Sequence, residues 1–166
     1  MAKVSEKLIQ LINEQIRAEY ESAYIYLEIA NYYEEQGWYG FAGWFNKQYK
    51  EEVEHAEKFI KYVHEQGYKV VLEDIRAPRN TYKDLREPLA KQLEHEELVT
   101  SLIYGLMDQA VADKDYRSQS FLKWYVDEQT EEEEHSHELI ELYDRYSVDP
   151  IGMIKLDKKL GKRVED

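Results

Sequence analysis

The chain has 166 residues, enough for one domain with a real core, and residues 1–166 read as a single domain. Asp and Glu number 35 against 22 Lys and Arg, a net charge of −13, which argues against nucleic acid and against anionic membranes as partners, since both need a basic face. The absence of cysteine excludes disulfides, thiolate-held zinc, iron–sulfur clusters and thiol nucleophiles, and 3 prolines with 7 glycines are too few for the turns of a β-rich fold.

In chain order, Met1 to Lys7 carries Lys and Glu where a secretory leader needs an apolar run. No later run approaches a membrane span, so the expected location is cytoplasmic. A first helix is predicted from about Ser5 to Gln36, with the stripe Leu8, Ile12, Ile16, Glu19, Ala23, Leu27, Ala30 and Tyr33 in steps of three or four. Ser5 suits its N-cap, and Gly37 closes it. A second stripe reads Phe41, Phe45, Gln48, Glu52, His55, Phe59 and Tyr62, and stops at Gly67. A third begins near Tyr82 and continues through Leu85, Leu89, Leu93, Glu96, Ile103, Leu106 and Ala110. A fourth begins near Tyr116 and reads Phe121, Tyr125, Glu128, Glu132, His135, Leu139 and Leu142. After Pro150, Ile151 to Leu160 forms a short fifth segment.

The connections predict how these helices lie. Gln36 to Gly40 and Asp113 to Asp115 are short, so each joins an antiparallel pair. Gly67 to Thr81 is long, contains Pro78 and reads extended; about 14 residues at about 3.3 Å each cover about 45 Å, the length of a helix of roughly 30 residues. The second and third helices can therefore run parallel, joined by a strap. The expected class is all-α: an up-down-down-up four-helix bundle with one long crossover plus a short C-terminal helix.

Each stripe carries a carboxylate near its middle: Glu19, Glu52, Glu96 and Glu132. Two add a histidine three residues on, Glu52-x-x-His55 and Glu132-x-x-His135, one turn along the same face. A lone glutamate on an apolar stripe is ordinarily a snorkelling side chain, and the run Glu131 to Glu134 alone reads as a solvated face. One per helix in duplicated order is different, because four buried carboxylates repel and each uncompensated charge costs several kcal/mol. Divalent cations among them remove that cost. A lone Glu on two helices and Glu-x-x-His on the other two is a ligand plan for di-iron and di-manganese bundles.

At these residues the chain resembles the bacterial and archaeal non-haem ferritins over essentially its whole length. The resemblance is carried by Asn13-Glu14-Gln15 leading to Glu19 and Tyr26, by Glu51-Glu52-Val53-Glu54-His55, by His95-Glu96-Glu97, and by Phe121 to Gln129 closed by Glu131 and Glu132. It implies that Glu19, Glu52 and His55 hold one iron and that Glu52 bridges to a second held by Glu96 and Glu132, with Gln129 hydrogen-bonding nearby. It further implies that Glu51, Glu128 and Glu131 are outer carboxylates of a third iron position that shares Glu132. Tyr26 takes the place of the tyrosine beside the centre that can supply an electron, and Trp124 that of the nearby tryptophan. Two departures stand out. His135 completes the second Glu-x-x-His, as in bacterioferritins, and is expected to lie beyond bonding distance. Val53 stands where haem-binding relatives have methionine, so no haem is expected.

The implied activity is ferroxidase: Fe(II) oxidised by O2 or H2O2, and the product stored in a hollow homo-oligomer of twenty-four copies. A rubrerythrin-like peroxidase drawing electrons from an external donor is the alternative, and an oxygenase acting on an organic substrate is a third. The outer carboxylates and the negative charge favour storage. Ile151, Met153, Ile154, Leu156 and Leu160 form an apolar face expected to meet symmetry mates, and Trp38, Tyr39 and Trp44 are expected to be exposed contact residues.

Overall fold

The structure, a computed structural model, describes residues 3–165. Its helices are α1 (Glu6–Glu35), α2 (Tyr39–Glu65), α3 (Glu87–Ala112), α4 (Tyr116–Tyr146) and α5 (Pro150–Gly161), followed by one 3₁₀ turn, Lys162–Glu165. No strand occurs among the described residues, and none of these helices is long and apolar enough to cross a membrane.

Local chemistry sets the ends. The Ser5 side chain accepts from the Leu8 N–H and caps α1. At the other end Gly37 adopts φ +79°, and the Trp38 N–H reaches back to the Tyr33 carbonyl at 2.9 Å, so the chain reverses into α2. Lys114 makes the same closure between α3 and α4 with φ 54°, at a cost of about 1 kcal/mol for its Cβ. Asp115 then caps α4 by accepting from the Arg117 and Ser118 N–H groups. The bundle is thus two antiparallel hairpins, α1–α2 and α3–α4.

The strap joins them as expected. Tyr68 donates to the Val4 carbonyl, the Val71 N–H to Asn13 Oδ1 at 2.8 Å, and the Asn80 side chain to Glu28 at 2.9 Å. Strap and helix numbers rise together, so the strap climbs along α1 and returns the chain to the end where α2 began. One boundary differs. α3 starts at Glu87, not near Tyr82, because residues 82–86 are pinned by side chains before the helix opens. The Tyr82 hydroxyl donates to Glu28, the Leu85 carbonyl accepts from Tyr33, and Asp84 accepts from the Arg86 and Glu87 N–H groups.

Two apolar clusters fill the bundle. One joins Leu8, Ile12, Phe59, Ile103, Leu106 and Tyr125; the other joins Tyr26, Tyr33, Phe41, Phe45, Leu89 and Leu139. In all four helices the seam glutamate falls between the residues of one cluster and those of the other.

α5 crosses the end of the bundle. A Cβ on Gly40 would sit 1.7 Å from the Asp157 carbonyl oxygen, so only glycine permits the approach, and Asp157 accepts from the Phe41 N–H at 3.0 Å. This docking divides the apolar face foreseen for the segment: Met153, Leu156 and Leu160 are buried on their own bundle, while Ile151 and Ile154 face outward. It also corrects the expectation for Trp44, which is buried beneath the Arg163 guanidinium, 4.3 Å from its ring. Trp38 is half-buried against Phe41, and Tyr39 alone of the three is fully on the surface.

Candidate metal centre

Glu19, Glu52, Glu96 and Glu132 enter the acidic layer from α1, α2, α3 and α4, each no more than 3% exposed. His55 joins them from α2. Its Nδ1 lies 3.4 Å from a Glu52 oxygen and 4.0 Å from a Glu19 oxygen, while Nε2 faces Glu128 at 3.6 Å. The imidazole therefore connects the buried carboxylates to the rim. Two groups of donor atoms lie mutually within 4.8 Å: Glu19, Glu52 and His55, and then His55, Glu128 and Glu132.

Burial dominates the electrostatics. Desolvation, reinforced by the Glu52 charge, raises the Glu19 carboxyl to about 8, and desolvation raises Glu52 to about 7. Glu96 and Glu132 are raised by the same cause, Glu96 further by the Glu132 charge. Burial alone would depress His55, but hydrogen bonds to Glu128 and Glu52 and the charges of Glu52 and Glu19 push it up to about 11. Glu128, half-buried at the rim, is lowered by its contact with His55. The metal-free layer thus holds protons on carboxyls and on imidazole. A cation would release both, since carboxylate and neutral imidazole are the ligating forms. Glu19 Oε2 is buried with no hydrogen-bond partner among the described residues, as an oxygen aimed at an ion would be. The donor set of hard oxygens with one imidazole suits iron or manganese and contains no soft sulfur.

The supporting shell consists largely of amides. Gln15 donates to Glu19 at 2.9 Å, Gln48 to Glu132 at 2.8 Å, and Gln129 to Glu96 at 3.1 Å. On Glu19 and Glu132 this leaves a second oxygen over. The buried Tyr26 hydroxyl donates to the other Glu96 oxygen, and burial beside that charge holds the phenol far above its ordinary range. Tyr125 donates to the His55 carbonyl at 2.7 Å and fixes the backbone that carries the imidazole. Trp124 lies edge-on to His55, its centroid 5.4 Å away, with Lys58 over its own ring at 3.3 Å.

The structure thus brings Glu19, Glu52, His55, Glu96, Gln129, Glu132 and Tyr26 together inside, with Glu128 at the rim. Glu51 is also at the rim, where Arg163 donates to it at 3.2 Å. Glu131 is exposed and in neither donor group, and His135 is likewise exposed and outside both. The inward side of α4 carries Gln129, Glu132, Ser136 and Leu139, which leaves position 135 one residue off the stripe.

Gln15 and three further neighbours of the layer were not assigned a role from the sequence. Gln48 sat on its stripe one turn before Glu52, and a polar residue in an apolar series was the available signal. His95 is buried, its imidazole depressed to about 4 by desolvation, 2.6 Å from the Ser22 hydroxyl. Gln92 lies one turn before Glu96, fully buried, with neither amide atom hydrogen-bonded among the described residues.

Comparison with known proteins gives this fold a family. Residues 9–146 match the Ferritin-like domain family. A probable bacterial non-heme ferritin-like protein of Haemophilus influenzae is 35% identical over 158 residues, covering 95% of this chain and 96% of that protein. A bacterial non-heme ferritin of Staphylococcus aureus is 33% identical over 163 residues, covering 98% of each. Among solved structures, an open-pore ferritin from the hyperthermophilic archaeon Archaeoglobus fulgidus superposes with a TM-score of 0.94 at 37% identity, covering 97% of this chain and 98% of that one. With fold and length both shared, the chain belongs to the ferritin family, among its bacterial and archaeal non-haem members.

Proposed function

We propose that this protein stores iron: it oxidises Fe(II) at the buried carboxylates of each subunit and deposits the ferric product inside a hollow shell of twenty-four copies in the cytoplasm. The observation that carries the reading is the acidic layer itself, four seam carboxylates and one imidazole whose protons a divalent ion would replace. Fe(II) is the substrate, and two ions side by side pass two electrons together to O2 or H2O2, which takes up protons as it is reduced.

The chain's own groups do the rest. Glu19, Glu52 and His55 hold one ion, Glu52 reaches toward the second, and Glu96 and Glu132 hold that one. Gln15, Gln48 and Gln129 aim these carboxylates, so little reorganisation is needed when an ion enters. Tyr26, buried against Glu96, is where a further electron would come from when O2 is reduced beyond the peroxide level, its phenol proton passing to Glu96. The protons released by His55 and the carboxyls leave toward Glu128 at the rim. Glu51, Glu128 and Glu131 form the outer position through which iron passes to the interior, and oxygen ligands without thiolate let Fe(III) move on. These outer carboxylates favour storage over a rubrerythrin-like peroxidase, which has no need of an exit. Val53 offers no thioether, so haem has no part in the proposal.

Assembly is supported by Ile151 and Ile154, two-thirds exposed on a helix otherwise docked on its own bundle. The test is joint: electron microscopy of the native protein, and iron uptake per subunit under air. A closed shell taking up far more than three ions per subunit is expected. A stable monomer or dimer that stops at two or three would overturn the storage reading and leave the peroxidase.

A further inference from the structure

Arg163 lies just beyond α5, yet it belongs to the acidic layer. Its Nη2 donates to Gln48 Oε1 at 2.6 Å and to Glu51 Oε2 at 3.2 Å. The guanidinium stacks over Trp44, and the Arg163 carbonyl accepts from Lys47 Nζ at 3.2 Å, so both backbone and side chain are held on α2. Gln48 in turn donates to Glu132 at 2.8 Å. With its oxygen taken by Arg163, the Gln48 amide can present only N–H to Glu132. One cation from the C-terminal turn thus touches an outer carboxylate directly and an inner one through a single amide.

Nη1 of the same guanidinium is buried with no partner among the described residues. Beside it lies a cavity of about 230 Å3 lined in part by Trp44, His135, Glu138, Lys159 and Arg163 itself. Glu138 offers a carboxylate there, so the guanidinium has both room and a second anion to turn to.

We propose that Arg163 is a displaceable countercharge that occupies Glu51 until iron reaches the outer position, and so makes that position weaker than the inner pair. It is a positioning residue, and the inference rests on the reading of Glu51 as an outer iron ligand. An ion arriving there must separate Glu51 from Arg163, which swings toward Glu138, and part of the binding energy is lost in breaking the contact. Filling is thereby ordered. Inner carboxylates load first, and outer iron is held loosely enough to leave for the interior.

Strictly anaerobic calorimetric titration of the assembled metal-free protein with Fe(II) tests this. The native protein should show tight inner binding followed by a weaker outer event. Arg163→Met keeps the stem over Trp44 but removes the charge, and should tighten the outer event roughly fivefold, the size expected for a half-exposed ion pair with good geometry. Arg163→Lys keeps the charge and should stay within about twofold of native. If Arg163→Met fails to assemble, Arg163→Gln makes the same comparison. An outer event that is unchanged or weaker in the neutral variant overturns the proposal. Glu51→Gln separates the two levels of the argument: it should abolish the outer event, and if it does not, the reading of Glu51 as an iron ligand fails whatever Arg163 does.

Discussion

The two Glu-x-x-His pairs have the same spacing and opposite fates. His55 is 4% exposed among three carboxylates, whereas His135 is on the surface. The difference is one of phase. Each residue turns an α-helix by about 100°, so a step of three falls about 60° behind the stripe and a step of four runs about 40° ahead. On α2 the buried positions around the pair are Gln48, Glu52, His55, Ala56 and Phe59, so both the third and the fourth residue after Glu52 lie inside, and the step from Glu52 to His55 recovers the advance made from Gln48. On α4 the step of three has already been taken, from Gln129 to Glu132, and a second would carry the side chain out of the seam. Ser136 is the buried residue instead. Spacing puts two ligands on one face; the residues on either side decide whether that face is inside.

The sharpest way to break the comparison is at the buried pair. Glu52→Ala removes the carboxylate assigned to both ions, and Fe(II) oxidation in stopped flow should fall by roughly two orders of magnitude or more, as expected when a metal ligand is lost. The metal-free protein should be at least as thermostable as native, because a buried carboxyl among like groups is removed. Native-rate oxidation by this variant would show that the centre is elsewhere.

A second test uses pH, since buried and exposed halves must titrate differently. The folded values of Glu19, about 8, and Glu52, about 7, lie above the usual carboxylate range. The fold therefore binds their protons more tightly than the unfolded chain does. The resulting stability is fully present below about pH 4.5 and is lost as pH rises through about 7 to 8. His55, raised to about 11, contributes below its ordinary 6.5 and loses that contribution only at higher pH still. Calorimetric melting of the metal-free protein should show Tm falling between pH 6 and 9. Saturation with Fe(II) under anaerobic conditions should flatten or reverse the trend, because the ion replaces these protons. A metal-free Tm that rises over this range would contradict the assignment of protonated carboxyls.

Most of this arrangement was legible in the residues, and the exceptions have definable causes. The seam carboxylates were readable because each interrupts a stripe of period 3.6, and the strap because its length matched the helix it had to span. Expectations failed where neighbours distant in sequence decide the outcome. Trp44 reads as a surface aromatic until Arg163, 119 positions later, stacks on it. The start of α3 slipped from Tyr82 to Glu87 because Glu28 and Tyr33 on α1 hold the preceding residues. Gln15 and Gln48 were visible as residues but mute as to role, since an amide's partner is set by packing and periodicity does not reveal it.

The smallest expected effect is the most pointed one. On α4 the seam residue three positions from Glu132 is Gln129 before it, whose amide donates to Glu96, and not His135 three positions after. Gln129→Leu should therefore weaken the second ion by roughly an order of magnitude, because the Glu96 carboxylate loses the amide that aims it while the first ion keeps Glu19, Glu52 and His55. His135→Leu should leave both inner binding events within about twofold of native, and should shift metal-free stability by no more than about 0.5 kcal/mol, as surface substitutions do. Anaerobic Fe(II) titration of the two variants side by side decides the matter. If His135→Leu weakens the second ion as much as Gln129→Leu does, the imidazole swings inward when iron arrives. The phase argument would then describe only the metal-free bundle, and the repeat would be functionally complete after all.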